Sequence, residues 1–246
     1  MLDVLLLVAA AFGAGMLNAA AGGGSFLTLP ALVGVGMPAA VANATGTLAL
    51  LPGYLTGAWA LRRDIAQSEP GSLAVLSGIA LAGGGAGALL LLWTSGGAFR
   101  FVAPWLLLFA TALFLCAPAM LRMARGRVLS PGAASAGLFV VSLYGGYFNG
   151  GMGIMLLALF GMSKRSDFSA INGLKNLLSG VLTVVAAAVY VAGGLVEWRE
   201  AGVMAIGATA GGFLGARLAR RVPVAAMRAV VVLVGILMSA FMFLKI

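Results

Sequence analysis

The chain has 246 residues, of which 62% are apolar and 9% charged, with 15 Lys and Arg against 6 Asp and Glu and no His. A water-soluble chain of this length needs a charged surface, yet no Asp, Glu, Lys or Arg occurs from Val4 to Leu61, so a soluble fold is excluded and the bilayer is the expected solvent. The lack of His and the single Cys116 exclude disulfides, zinc sites, haem His pairs and Cys-His nucleophiles; no cofactor is expected, and the formal charge of +9 reads as topology signals rather than nucleic-acid binding.

The first apolar segment, 2–36, is broken in its middle by Gly22-Gly23-Gly24-Ser25, with Asn18 four residues before Gly22. Ala19-Ala20-Ala21 looks like a signal-peptide cleavage site. Asp3 is the only charge before Arg62, however, so the basic n-region is missing and the segment is expected to stay and to span. A span follows over 38–61 with the polar cluster Asn43-Ala44-Thr45-Gly46-Thr47, then plain spans over 71–93 and 99–121. A second broken segment, 131–162, carries Gly150-Gly151-Met152-Gly153, with Asn149 four residues before Gly153. The next span, 167–193, holds Asn172-Gly173-Leu174-Lys175-Asn176 and then Ser179; spans over 201–217 and 224–244 follow it. Simple hydropathy thus counts seven to eight spans. Tyr54, Trp59, Trp93, Trp105 and Trp198 fall near span ends, where aromatic rings anchor at the interface, and Gly207-x3-Gly211-x3-Gly215 and Gly83 to Gly87 read as helix-packing motifs.

The order repeats: broken segment, polar-centred span, two plain spans, over 1–125 and again over 126–246. Basic residues decide the relation of the halves. If both broken segments cross, the two faces carry seven Lys or Arg each, with no bias. If each is a hairpin, one face carries Arg62, Arg63, Arg122, Arg125, Arg127, Lys164, Arg165, Arg217, Arg220, Arg221 and Arg228, and the other keeps only Arg100, Arg199 and Lys245. Eleven against three is a positive-inside signature. The expected fold is therefore an all-α polytopic membrane protein, one integral membrane domain of two inverted-topology repeats, each a broken or re-entrant segment plus three transmembrane helices, with both termini outside the cytoplasm; the alternative is a full crossing by 2–21, which is long enough to span alone, followed by a half-length helix.

Broken helices are tolerated in a bilayer only where the freed backbone groups are buried in protein or line a cavity. The half-helices beginning near Ser25 and Ile154 turn positive dipole ends toward the midplane, which favours anions. Lys175 is the only basic residue well inside an apolar span, about 12 Å along a helix starting near Asp167, where an ammonium costs several kcal/mol unless offset. All six acidic residues, Asp3, Asp64, Glu69, Asp167, Glu197 and Glu200, fall at segment ends or in connections, so no central carboxylate is available for a cation. The candidate substrate-binding set is Lys175 with Asn172, Asn176, Asn18, Gly23, Gly24, Ser25, Asn43, Thr45, Thr47, Asn149, Gly151 and Gly153, around a small oxyanion. The competing readings are a lysine bonded to backbone carbonyls, and Asn or Thr side chains bonded to neighbouring helices.

The pattern Gly15-x2-Asn18-x3-Gly22-Gly23-Gly24-Ser25 through Pro30-Ala31-Leu32, then Ala42-x2-Thr45-Gly46-Thr47, resembles the first half of the sulfite exporter TauE/SafE family. Ile171-Asn172-Gly173-Leu174-Lys175-Asn176-Leu177-Leu178-Ser179 is similar to its Asn-x-x-Lys-Asn-Leu-Leu signature, while Gly153-Ile154-Met155 and Gly161 depart from its second-half pattern. The resemblance implies a multi-pass carrier of the bacterial inner (plasma) membrane that exports sulfite, sulfoacetate or a related sulfur-containing anion.

The leading expectation is a secondary transporter working by alternating access. With no buried carboxylate, a proton on Lys175 is the candidate for coupling. An anion channel of the same architecture is the alternative. An enzyme is not expected, and the absence of Gly-x4-Gly-Lys-Ser/Thr excludes an ATP-driven pump within this chain. The partners are the small anion, the lipid bilayer and, compatibly with the sequence, further copies of the chain.

Overall fold

The computed structural model describes residues 2–20, 22–67, 72–124, 129–162, 168–218 and 224–244. Several sequence expectations lie outside them: Ala21, the repeat boundary at 125/126, Asp167, the basic residues Arg125, Arg127, Lys164, Arg165, Arg220, Arg221 and Lys245, and the side chains of Arg217 and Arg228.

The described residues form eleven α-helices and no strand. They are α1 (Leu2–Ala20), α2 (Ser25–Gly34), α3 (Ala39–Ala60), α4 (Arg62–Gln67), α5 (Leu73–Trp93), α6 (Gly96–Ala124), α7 (Pro131–Tyr147), α8 (Met152–Gly161), α9 (Phe168–Ala192), α10 (Trp198–Leu218) and α11 (Val224–Leu244). Local chemistry sets several starts. Ser72 Oγ accepts the Val75 N–H ahead of α5 and Ser130 Oγ the Ala133 N–H ahead of α7, where Pro131 also occupies the first turn. The expected span 38–61 corresponds to α3, and the charged Arg62–Gln67 stretch forms the separate short helix α4.

Four of the helices are long and apolar enough to cross a bilayer by length and composition: Leu2–Ala19, Leu73–Trp93, Gly96–Met120 and Phe168–Ala192. The span α3 has 22 residues, but Asn43, Thr45, Thr47 and its glycines dilute its apolar character. The apolar stretch described for α11 is Val231–Leu244.

Both broken segments fold back on themselves. After the first break the chain returns along α1, so that a Cβ on Gly24 would lie 3.0 Å from Ala14 O and one on Gly13 3.0 Å from Leu27 Cδ1. After the second, Leu159 lies against Gly137 and Met152 against Gly145, and the Leu129 N–H donates to Met162 O at 3.1 Å, closing the feet of the hairpin. In each case a longer arm of 19 or 17 residues pairs with a returning arm of 10.

Glycine contacts also fix the direction of the remaining helices. Gly57 sits on Asn176 and Gly180 beside Tyr54 and Leu55, so α3 and α9 are antiparallel. Gly207 lies against Val8 and Ala11 and Gly211 against Phe12, so α10 runs alongside α1 in the same direction. Gly83 lies against Phe139 and Ser142 and Gly87 against Leu143 and Tyr147, so α7 runs alongside α5 in the same way. The helix opening each half of the sequence thus packs on a later helix of the other half. Close approach through glycine favours such pairs, because bilayer lipid offers no hydrophobic drive to associate and dispersion between backbones must hold them.

Candidate functional site

The two glycine breaks meet. Gly22, with φ of 79°, faces Gly153, and a Cβ on either would stand 2.6 Å from the other's Cα, closer than real Cβ atoms come. No side chain fits between the tips. The α6 helix covers both: Phe114 lies under Gly23 and edge-on to Phe26, with ring centroids 5.0 Å apart, and Ala110 lies 3.1 Å from a Cβ on Gly151. The second tip also needs left-handed backbone at Asn149 (φ 64°) and Gly151 (φ 77°); Asn tolerates that region better than most residues.

Each tip contains the C-terminal end of a long helix and the N-terminal start of a short one. Short helices begin at Ser25 and Met152, close to the expected Ser25 and Ile154. The amide of Gly24 donates to Asn18 Oδ1 at 3.3 Å. The amides of Ser25, Met152 and Gly153 find no acceptor among the described residues, which leaves helix-start N–H groups at the junction.

The carbonyl ends of the long helices are held from the opposite half. Lys175 Nζ donates to Asn18 O at 3.1 Å and Asn172 Nδ2 to Ala19 O at 3.4 Å, both at the end of α1. Asn43, in the corresponding polar cluster of α3, donates through Nδ2 to Tyr147 O at the end of α7, at 3.0 Å. These donors offset the negative helix ends, while the positive ends of α2 and α8 at the junction meet no charged group and only the Asn18 amide oxygen, on Gly24, among the described residues. Lys175 is completely buried and sits seven residues, about 10 Å, into α9.

Between the tips and α3 lies a second polar group. The Tyr54 hydroxyl donates to Asn149 Oδ1 at 3.2 Å, Asn149 Nδ2 donates to Thr47 Oγ1 at 3.3 Å, and the same hydroxyl faces the Asn18 side chain. Tyr54 therefore corrects the sequence reading of it as an interface anchor. It is 2% exposed, because it lies on one face of α3 with Asn43 and Thr47, at spacings of eleven and seven residues, and that face is turned inward. That spacing was the available signal. The four tryptophans assigned to the interface, Trp59, Trp93, Trp105 and Trp198, are all exposed.

The candidate residues divide accordingly. Asn18, Gly23, Gly24 and Ser25 form the first tip, with Lys175 and Asn172 on it; Asn149, Gly151 and Gly153 form the second, with Thr47 and Asn43 on it. Asn176 lies against Gly57 in the α3–α9 seam. Thr45 stands apart: its buried hydroxyl accepts the Glu197 N–H at 3.1 Å ahead of α10.

The sulfite exporter TauE/SafE family profile matches residues 7–242. The chain belongs to that family. Among curated members of similar sequence, it is 30% identical over 252 residues to the "Probable membrane transporter protein" of Haemophilus influenzae, covering 98% of this chain and 95% of that one. It is 28% identical over 249 residues to the "Probable membrane transporter protein YfcA" of Escherichia coli K12, covering 98% and 88%, and 28% identical over 222 residues to the "Probable membrane transporter protein ORF9" of a Sinorhizobium species, covering 87% and 82%. No solved structure matches the chain. Two of the stretches that carry the resemblance to TauE/SafE proteins map onto the junction: the Gly22–Ser25 break is the first tip, and the Asn172–Ser179 run supplies the lysine and asparagine that hold it.

Proposed function

We propose that this TauE/SafE protein is a secondary transporter of the inner membrane that exports a small anion, sulfite or a related sulfur-containing organic anion, by alternating access. The observation that carries this reading is the meeting of two broken helices back to back at Gly22 and Gly153, with a buried lysine on one of them and no acidic side chain in either tip. An oxyanion gains there from helix-start N–H groups, from the ammonium and from neutral amide donors, whereas a cation finds no carboxylate. The competing pull on Lys175 is the Asn18 carbonyl, so the anion and the helix end share one cation.

The halves, 1–125 and 126–246, are proposed to be inverted repeats. In support, α1, α3 and α10 run one way and α5, α7 and α9 the other, and each half opens with a hairpin packed on the other half. Rocking of one half against the other about the glycine junction then exposes the site to each side in turn. The relatives' printed description as membrane transporters supports the activity class. A proton on Lys175 is the proposed coupling ion.

Efflux of sulfite, sulfoacetate and short carboxylates from loaded proteoliposomes tests the reading. Saturable flux at low turnover that depends on pH is expected. Large single-channel currents would replace the carrier by a channel, and a pH-independent rate would remove the coupling role.

A further inference from the structure

The α9 helix carries more unpartnered polarity than its lysine explains. Ser179 and Thr183 are completely buried, and neither hydroxyl has a hydrogen-bond partner among the described residues. A hydroxyl inside a membrane helix has a ready acceptor in the carbonyl four residues back, and buried Thr111 and Ser239 use it, donating to Leu107 O at 2.7 Å and Gly235 O at 2.8 Å. Ser179 and Thr183 do not, so their hydroxyls are turned away from their own backbone.

At 100° per residue, Lys175, Ser179 and Thr183 occupy one sector of α9. That sector lies between the side meeting α3, where Gly180 faces Tyr54 and Leu55, and the side meeting α5, where Leu182 faces Gly84 and Val185 lies near Gly85. Since Lys175 already reaches the end of α1, the sector faces the tips. The antiparallel register, Gly180 beside Tyr54, carries Thr183 about one turn further toward the level of Leu50, which itself touches the first tip at Gly24. The hydroxyls of Ser142 and Tyr144 on α7 are also buried without a partner among the described residues, but only Ser179 and Thr183 share the sector of Lys175, and that grouping points to a missing acceptor there, because burying an unpaired hydroxyl is costly in hydrocarbon or protein.

We propose that Ser179 and Thr183 donate to oxygens of the transported anion, forming with Lys175 a ladder of three positions about 12 Å long on α9. This rests on the transport reading above and deepens it by naming two residues of the path. A compact oxyanion occupies the steps one after another, whereas a two-ended organic anion engages two at once.

The test uses Ser179→Ala and Thr183→Val, each of nearly unchanged volume, with Ser239→Ala as the internally bonded control. Sulfite and sulfoacetate efflux is measured in proteoliposomes, and the anion-dependent rise in Tm in detergent. A hydrogen bond to a charged group predicts that either variant raises KM about tenfold or more, while Tm without anion holds or rises because an orphan hydroxyl is gone. The control keeps the wild-type KM. Both variants with wild-type KM overturn the proposal, whatever their Tm. A wild type whose Tm responds to the anions but which moves none overturns the transport reading instead; loss of that response in the variants then sustains the hydroxyl ladder and its persistence refutes it. A wild type with neither flux nor Tm response refutes both.

Discussion

Lys175 places its ammonium 3.1 Å from the main-chain oxygen of Asn18, so the one basic side chain inside an apolar span closes the carbonyl end of a helix from the other half of the sequence. The contact gives the lysine a structural partner that is neutral, and leaves its charge uncancelled among the described residues. Lys175→Met should preserve membrane insertion and abolish most sulfite efflux. It also removes the cap from Asn18 O, a loss of about 1–3 kcal/mol set against the relief of a buried charge with no counter-ion among the described residues. Wild-type efflux in a Lys175→Met protein would refute the site assignment.

Gly153→Ala tests the junction by steric exclusion alone, because Gly153 has no positive φ and its Cβ would meet the Gly22 backbone at 2.6 Å. Backbone on both sides leaves nothing to rotate away, so the tips must part. Strong loss of transport is expected with the protein still in the membrane. Gly22→Ala adds a left-handed backbone strain of roughly 1–2 kcal/mol and should be worse. Gly78→Ala, where a Cβ meets open space, serves as the neutral comparison, read by efflux and Tm together.

Tyr54→Phe deletes the donor to Asn149 Oδ1 and leaves a buried oxygen unpaired at a left-handed residue. A destabilisation of about 1–3 kcal/mol is expected, measurable as lowered Tm. Asn149→Gly keeps the backbone conformation and should be milder than Asn149→Ala, which loses both the hydrogen bonds and the conformational tolerance. A double-mutant cycle between Tyr54→Phe and Asn149→Ala should show coupling; additivity would mean the contact carries no energy.

The hairpin topology predicts labelling sides. In a Cys116→Ser background, single cysteines at Gly36 and Thr94 should react with an impermeant thiol reagent from outside the cytoplasm, and one at Trp59 only from the cytoplasmic side. Two contacts pair the ends of neighbouring helices: Tyr147 Oη at the end of α7 donates to Thr94 Oγ1 just after α5 at 3.4 Å, and Ser169 Oγ at the start of α9 donates to Asp64 Oδ2 of α4 at 2.6 Å. A further cysteine at Asp3 should label from the same side as position 36, and labelling of positions 3 and 36 from opposite sides would refute the re-entrant reading.

Much of this was legible in the sequence, because helix breaks announce themselves locally. Gly22–Ser25 and Gly150–Gly153 stand out within long apolar segments, their Asn partners fall at matched offsets, and the buried lysine is conspicuous by its neighbours' lack of charge. The partners of those residues were not legible. That Asn43 reaches Tyr147 O, that Thr45 belongs with Glu197, and that Tyr54 turns inward depend on helices brought together from more than 90 residues away. Thr183 escaped notice for a different reason. A threonine in an apolar helix ordinarily bonds its own backbone, and only the three-dimensional arrangement shows that this one does not.

The contact of Gly22 with Gly153 has no chemistry of its own, since bare main chain meets bare main chain. In the proposed rocking cycle it would serve as a bearing, setting a clearance without telling one solute from another. Discrimination has to reside in the side chains of α3 and α9 that surround it. On that proposal, exchanging those side chains should redirect the protein to a different cargo while the Gly22–Gly153 contact keeps its dimensions.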